Sequence, residues 1–388
     1  MSARSANSTS TAATPPAGKV PVRIDGCAAE TINLGSIDVL QVLDETGAVV
    51  NPSLDPRLSD DELLRVYRGM VRSRRLDLRM LAMQRQGEMG TFAPGLGQEA
   101  TQIGQVYPMT SRDWYSPSYR SIGAQVWRGW TMEQLLLLWD GYFAGFAIPE
   151  GVNELPFSIV IGSHVPVATG VAMGIRMRKD DGVVVTNFGD GASSQGAVAE
   201  AFNFAAVYKA PIVFIVESNG WAISTPIERQ AGNSVLAARG VGFGMPAVRV
   251  DGNDVLGMIA ACSRAIDHAR SGHGPFLVEA VTYRMSLHTT ADDPKVYRKE
   301  EEVNAWEAKC PIRRFEQYLK GKALLDDASI AHINEEIESE VTAARDRFRE
   351  LAVARPGEIF DFIYAQLPED LGEQKAEYRE RLKRKGVV

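Results

Sequence analysis

The sequence predicts an α/β fold, a doubly wound parallel sheet flanked by helices, and three observations carry that reading. Two short apolar runs, Val183 to Phe188 and Ile212 to Val216, enclose Gln195 to Tyr208, which reads as a helix. A strand–helix–strand unit needs a crossover, and a crossover makes its strands parallel. The alternation then continues with a strand near 247–250, a helix from Asp254 to Arg270 and a strand from Phe276 to Tyr283, as a sheet covered on both faces requires. Finally, the two apolar runs end in polar, glycine-bearing pieces, Gly189-Asp190-Gly191 and Ser218-Asn219-Gly220-Trp221. Parallel strands deliver both pieces to one sheet edge, the edge where open α/β sheets bind ligands.

Residues 1–38 read as a disordered or extended arm. The first twenty residues are rich in Ser, Thr, Ala and Pro, with Arg4 and Lys19 their only charges. A transit peptide is normally richer in Arg and amphipathic. Val39 to Val50 has a strand-like pattern with a turn at Glu45-Thr46-Gly47. Ser59 to Glu62 forms a capping box ahead of a helix with apolar positions 63, 66, 67, 70 and 71, and Thr131 to Gln134 opens a second helix through Leu135, Leu138 and Trp139. Taken alone, Ile159-Val160-Ile161 is a buried strand. The helix 165–178 carries Ala168, Gly170, Ala172 and Gly174, small residues that would let it lie close to a neighbouring helix or chain. Beyond Val296 the chain reads as helical and charged. The expected organisation is an α/β domain over 39–300 and a helical C-terminal extension over 301–388, without internal repeat.

A chain of 388 residues can bury a large core, and its net charge of −7 argues against a nucleic-acid surface, since phosphate binding needs clustered Lys and Arg. The basic stretches Arg72 to Arg75 and Arg379 to Lys385 lie among acidic residues and read as solvated helix faces. The three cysteines, Cys27, Cys262 and Cys310, form no C-x-x-C pair, which suits a reducing compartment and offers no zinc cluster. No apolar stretch reaches the length of a membrane span.

At the shared sheet edge the sequence offers one carboxylate, Asp190, and one side-chain amide, Asn219. These are hard oxygen ligands. Mg²⁺ takes one or two of them, keeps water, and completes its octahedron with phosphate oxygens, while the glycines let the backbone approach closely. Alone, Asp190 could be a helix cap; Asn219 at matching depth favours the metal. A dinucleotide fingerprint is the rival, with Glu217 as the ribose-binding acid. Its spacing fails, because the next glycine is Gly196, and Asp190 would repel a pyrophosphate.

The paired pieces resemble the motif of thiamine-diphosphate enzymes, a GDG followed some thirty residues later by two asparagines. Asn219 fills the second asparagine position and Ser218 stands in the first. The segments Phe92-Ala93-Pro94-Gly95-Leu96-Gly97-Gln98-Glu99-Ala100, Ser118-Tyr119-Arg120, Ile148-Pro149-Glu150-Gly151-Val152-Asn153, Ala222-Ile223-Ser224-Thr225-Pro226 and His288-Thr289-Thr290-Ala291-Asp292-Asp293-Pro294 extend the likeness. Together they resemble the α subunit of the two-subunit pyruvate or branched-chain 2-oxoacid dehydrogenase first component, from about Asp44 to beyond Tyr297.

The resemblance implies a thiamine-diphosphate-binding fold that holds thiamine diphosphate and Mg²⁺. It adds the Trp221 carbonyl to Asp190 and Asn219 as metal ligands. It assigns Tyr119 and Arg120 to the diphosphate through a phenol hydroxyl and a guanidinium fork, Gly191 and Ala192 to its approach at a helix N-terminus, and Ile159 and Ile161 to the aminopyrimidine through their backbone. His164, where relatives commonly have glutamine, lies near these residues in sequence. His288 opens a loop that in the family closes over the cofactor and assists transfer to a lipoyl group; an imidazole there can move a proton near neutral pH. The other histidines, His268, His273 and His332, read as ordinary capping or surface residues.

No glutamate in the chain matches the one that activates the aminopyrimidine. In the family that glutamate comes from a separate β subunit, so the resemblance implies an α/β heterotetramer with its active site at the subunit interface, and a lipoyl-bearing dihydrolipoamide acyltransferase as partner. The implied reaction is oxidative decarboxylation of a 2-oxoacid with reductive acylation of the lipoyl group. Thr91-Phe92-Ala93-Pro94, Pro149-Glu150-Gly151-Val152-Asn153 and Ser224-Thr225-Pro226-Ile227 together look more like bacterial pyruvate dehydrogenases of the two-subunit type. Branched-chain 2-oxoacids stay open as substrate, since Val250-Asp251-Gly252-Asn253-Asp254 occurs on both sides, and Tyr142 and Ala144 replace histidines common in the bacterial relatives. An inactive scaffold that only binds a partner is the non-enzymatic alternative. A cytoplasmic setting is expected, or the mitochondrial matrix if the arm is a transit peptide.

Overall fold

A computed structural model describes residues 37–353, 355 and 357–387. The expected N-terminal arm lies outside the described residues except at its last positions. In chain order, β1 (Asp38–Leu40) leads to α1 (Asp60–Arg85), α2 (Glu99–Val106) and β2 (Trp114–Ser116). Then follow α3 (His164–Arg178), β3 (Val184–Gly189), α4 (Gly196–Val207), β4 (Ile212–Ser218), β5 (Ala247–Asp251), α5 (Val255–His268) and β6 (Phe276–Val281). The helices α6 (Pro311–Gly321) and α7 (Asp327–Leu351) come after the sheet.

The strands form a six-stranded sheet in the order β1-β5-β6-β4-β3-β2, and each neighbouring pair runs parallel. Successive strand residues point to opposite faces, which divides the core. Val185, Val213, Ile215 and Val278 pack under α1, α2 and α5, whereas Val184, Ile212, Phe214 and Leu277 pack under α3 and α4. Strands buried on both faces need continuous apolar runs, and that is why the runs were readable.

The first capping box is complete: the Ser59 side chain accepts from the Glu62 N–H, and the Glu62 carboxylate accepts from the Ser59 N–H at 2.9 Å. The second is half of one. Thr131 accepts from the Gln134 N–H at 3.3 Å, but the Gln134 side chain turns away to the Ala147 carbonyl. The segment from Val39 to Val50 is likewise only partly strand, because Asp44 folds it back by accepting from the Thr46 and Ala48 N–H groups at 2.9 and 3.0 Å.

The basic run in α1 is not simply a solvated face. Arg72 reaches Glu340 of α7 at 2.7 Å, Arg68 and Arg79 reach Glu336 and Glu338, and Arg74 pairs with Glu99, which is fully buried. On the same helices Ile337, Val341 and Phe348 of α7 enter the core that α1 lines. The C-terminal helices thus complete the main hydrophobic core. In α3, Ala168 and Ala172 are buried, but an added Cβ at Gly170 or Gly174 would meet nothing within 4 Å. Those glycines bring no neighbour among the described residues closer.

Candidate active site at the carboxyl edge of the sheet

The register Gly189↔Glu217 sets the ends of β3 and β4 side by side, so Asp190 and Asn219 step off adjacent strands. Loops converge there on a cleft of about 220 Å³, with Tyr119, Arg120, Asp190, Asn219, Trp221 and His288 in its wall. Gly191, Ala192, Ile161 and His164 also line it.

Asp190 is 2% exposed. Its Oδ1 accepts from the Gly191 N–H at 2.7 Å, while Oδ2 has no hydrogen-bond partner. Burial pushes its carboxyl up to about 6. An orphaned buried carboxylate oxygen of this kind calls for a cation or a proton. Gly191 is required: an added Cβ would lie 2.8 Å from the Cβ of Ala222. Asn219 donates through Nδ2 to Gln98 Oε1 at 3.1 Å, leaving Oδ1 with only a long contact, 3.4 Å, from the Trp221 N–H. The Trp221 carbonyl accepts from Arg284 Nη1 at 3.3 Å. Among the described residues no group of three or more His, Cys, Asp or Glu could hold a metal. The oxygen set here is instead one carboxylate, one amide and one carbonyl, which suits an ion that keeps phosphate and water ligands.

Arg120 is buried at 4% exposure, and Arg284 is fully buried. Arg120 donates to the Pro94 carbonyl and, through Nη2, to the His288 carbonyl and Nδ1 at 3.0 and 3.1 Å. Arg284 donates to the Ile223 carbonyl and the Tyr297 hydroxyl, each at 2.8 Å. Among the described residues neither guanidinium forms a salt bridge. Paired buried cations without a carboxylate partner are costly unless an anion joins them. Ile223 sits at φ 56°, a rare conformation for a β-branched residue, and its carbonyl is held there by Arg284.

The expectation that His288 titrates near neutral pH fails in this setting. Burial, with Arg120 and Arg284 beside it, pushes the imidazole down to about 4. Because Nδ1 faces both guanidinium groups, it carries the lone pair, and the neutral ring presents Nε2–H as its donor. Its main-chain N–H donates to Asp292 Oδ2 at 2.7 Å, which also accepts from the Tyr297 hydroxyl.

Ile159-Val160-Ile161 forms no buried strand. These residues lie in a bend before α3 and are 61, 69 and 39% exposed; Val160 and Ile161 line the cleft and Ile159 does not. Ser158 makes an isolated parallel bridge to Ser118, and its hydroxyl, 3.0 Å from that of Ser163, closes the bend so that Ile159 to Ile161 leave the pairing and turn outward. His164 does reach the cleft wall, with Nε2 2.9 Å from the Asn187 carbonyl. Glu217 accepts from Asn187 and Gln105 at 2.8 and 3.2 Å in full burial, so it is not free to bind a ribose.

Sequence reasoning missed Arg284, Tyr297 and Asn187. Asn187 is a hub: its Oδ1 accepts from the Tyr115 hydroxyl and the Ser118 N–H at 3.0 and 3.1 Å, which holds the loop that carries Tyr119 and Arg120. A polar residue inside an apolar strand was the available signal.

The chain is 42% identical over 344 residues to "Pyruvate dehydrogenase E1 component subunit alpha" of Acholeplasma laidlawii, covering 87% of this chain and 99% of the relative. Identities of 37 and 36% over 366 residues link it to proteins of the same name from Staphylococcus epidermidis and Staphylococcus aureus, each covering 94% of this chain and 99% of the relative. Residues 67–355 match the family described as "Dehydrogenase E1 component", and the chain belongs to that family.

Proposed function

We propose that this chain is the α subunit of a pyruvate dehydrogenase first component, binding thiamine diphosphate with Mg²⁺ and acting with a β subunit and a lipoyl-bearing acyltransferase. The observation that carries the reading is the buried Arg120 guanidinium, without a carboxylate partner among the described residues, in one cleft wall with the orphaned Asp190 carboxylate, while Arg284 backs that wall through the Trp221 and Ile223 carbonyls. A diphosphate with a divalent cation satisfies the charges of Arg120 and Asp190 at once. The names of the relatives favour pyruvate over other 2-oxoacids.

Asp190 Oδ2, Asn219 Oδ1 and the Trp221 carbonyl would hold the ion, and the Tyr119 hydroxyl, Arg120 and the Gly191-Ala192 backbone would hold the diphosphate. When bound, thiamine diphosphate supplies the electron sink for decarboxylation. Arg120 orients His288 from its Nδ1 side, so that the Nε2–H is the one proton the imidazole offers to the cleft. Ile161 and Val160 offer an exposed apolar side to the cleft. Burial depresses His288 most, and an anion beside Arg120 would offset part of the neighbouring positive charge and raise its proton affinity. A β subunit would supply the glutamate that this chain lacks, in a heterotetramer; a cytoplasmic setting belongs to the same reading. No described helix is long and apolar enough to cross a membrane.

The test is reconstitution with a β subunit and assay of pyruvate, 2-oxobutyrate and 2-oxoisovalerate with an artificial electron acceptor. The expected result is Mg²⁺-dependent thiamine diphosphate binding, highest kcat/KM for pyruvate, and no turnover by the isolated chain. Preference for 2-oxoisovalerate would reassign the substrate, and absence of cofactor binding would overturn the reading.

A further inference from the structure

Gln98 bears on the cleft from behind. The residue precedes α2, is fully buried, and lies outside the cleft wall. Its backbone is fixed on both sides: the N–H donates to the Gly95 carbonyl at 3.0 Å, and the carbonyl accepts from the Gln102 N–H at 2.9 Å. The next residue, Glu99, is clamped by Arg74. On this rigid base the carboxamide accepts from Asn219 Nδ2 at 3.1 Å, while its own Nε2 has no partner. The contact to Asn219 is thus its single side-chain hydrogen bond among the described residues.

An asparagine amide has two chemically opposed ends, and a cation can bind only the oxygen. Asn219 is 5% exposed, so whichever end turns away from the cleft is buried and needs a protein partner. With Oδ1 inward, the buried end is Nδ2, a donor. The Oε1 of Gln98 is the acceptor that pairs with it.

We propose that Gln98 is a positioning residue for the metal site: it selects the Asn219 rotamer that presents Oδ1, rather than an N–H group, to the cation. This inference rests on the cofactor reading above. Gln98 does not touch the ion, the diphosphate or the reacting atoms; it acts through Asn219. Partners that orient a metal ligand in this way typically change metal affinity about 10–100-fold when removed.

The experiment measures thiamine diphosphate binding to the α/β complex by equilibrium dialysis while MgCl₂ is varied, in wild type and in Gln98→Leu, Gln98→Asn and Gln98→Glu. Leucine removes the acceptor at similar volume, asparagine shortens the arm so that it no longer reaches, and glutamate keeps an oxygen in place. The expected result is that the Mg²⁺ concentration for half-saturation rises about tenfold or more in the leucine and asparagine variants and stays within a few-fold of wild type in the glutamate variant. Thiamine diphosphate capacity at saturating Mg²⁺ stays close to wild type in all of them. A merely structural Gln98 would instead reduce folded yield and Tm without moving the Mg²⁺ midpoint. Should Gln98→Leu fail to assemble, Gln98→Asn carries the comparison. An unchanged midpoint in a folded Gln98→Leu or Gln98→Asn complex overturns this inference alone. Wild-type binding that ignores Mg²⁺ overturns the cofactor reading and this inference with it.

Discussion

The two walls of the cleft are built on opposite terms. One wall, with Asp190, Asn219, Arg120 and the half-buried His288, is tied by hydrogen bonds to neighbouring loops and to Arg284 behind it, yet retains unpaired charge. The other, Val160 and Ile161 ahead of α3, is apolar, exposed and paired to little but itself. The difference separates what the chain prepares alone from what it leaves to another surface. Charge must be preorganised before an anion arrives, because reorienting buried polar groups during binding is expensive. Apolar surface needs no such preparation and is covered when a ligand or partner supplies the area.

The comparison breaks most directly at Asp190. Asp190→Ala should abolish Mg²⁺-dependent thiamine diphosphate binding in calorimetric titration, with Asn219→Ala acting in the same direction less severely; unchanged affinity would remove the metal from the charged wall. Next, His288→Ala should lower lipoyl acylation by about 10²-fold while diphosphate affinity holds and turnover with an artificial acceptor falls less. Equal losses in both assays would place His288 in cofactor activation or decarboxylation instead. Then comes Arg284→Met. Arg284 acts on the cleft through the Trp221 and Ile223 carbonyls and His288, so its loss should weaken diphosphate affinity about tenfold, the low end of a lost charge-assisted hydrogen bond, and Arg284→Lys should recover only part, since a lysine cannot span the Ile223 carbonyl and the Tyr297 hydroxyl together. By contrast, Ile161→Ser should leave Mg²⁺ dependence untouched and weaken association with a β subunit only modestly, as measured by light scattering; a change in the Mg²⁺ midpoint would show that the walls are not separate.

A smaller effect sharpens the contrast through pH. Asp77 lies behind the charged wall in full burial, with Oδ2 accepting from the Gly95 N–H at 2.7 Å and Oδ1 unpartnered. Burial, reinforced by Glu99, pushes its carboxyl up to about 8. A pKa raised in the folded state means that the folded protein holds the proton more tightly than the unfolded chain. The Asp77 contribution is therefore fully present below about pH 4 and is lost as pH rises toward 8. Asp77→Asn should flatten this slope, so urea midpoints at pH 5.5 and 8 should differ less in the variant than in wild type. An equal slope in both would put the proton elsewhere.

Much of the charged wall was legible in the sequence because its residues are pinned to strand ends. Apolar runs fixed where β3 and β4 stop, and the residues one step beyond, Asp190 and Asn219, could go only to one edge. The other features escaped for identifiable reasons. Arg284 looked like the end of a strand, since nothing local shows that a guanidinium will reach back to the Trp221 and Ile223 carbonyls. Ile159 to Ile161 has the composition of a strand, but strand formation needs a neighbour to pair with, and a local turn won. The histidine expectation went wrong because a pKa depends on residues brought together from distant parts of the chain. The C-terminal helices were read correctly as helices but not as core, since an amphipathic pattern does not say which surface will receive its apolar stripe.

The docking of α7 on α1 carries a consequence for synthesis. The main core is open until Ile337, Val341 and Phe348 arrive from the end of the chain to meet the helix that begins at Asp60. A nascent chain stalled before residue 348 therefore has its sheet strands translated but an apolar flank still bare. Long-range closure of this kind is slow and leaves intermediates prone to aggregate. The Arg68, Arg72 and Arg79 pairs with Glu336, Glu340 and Glu338 then act as a register key for the late arrival, a charged seam that fits one alignment of the two helices.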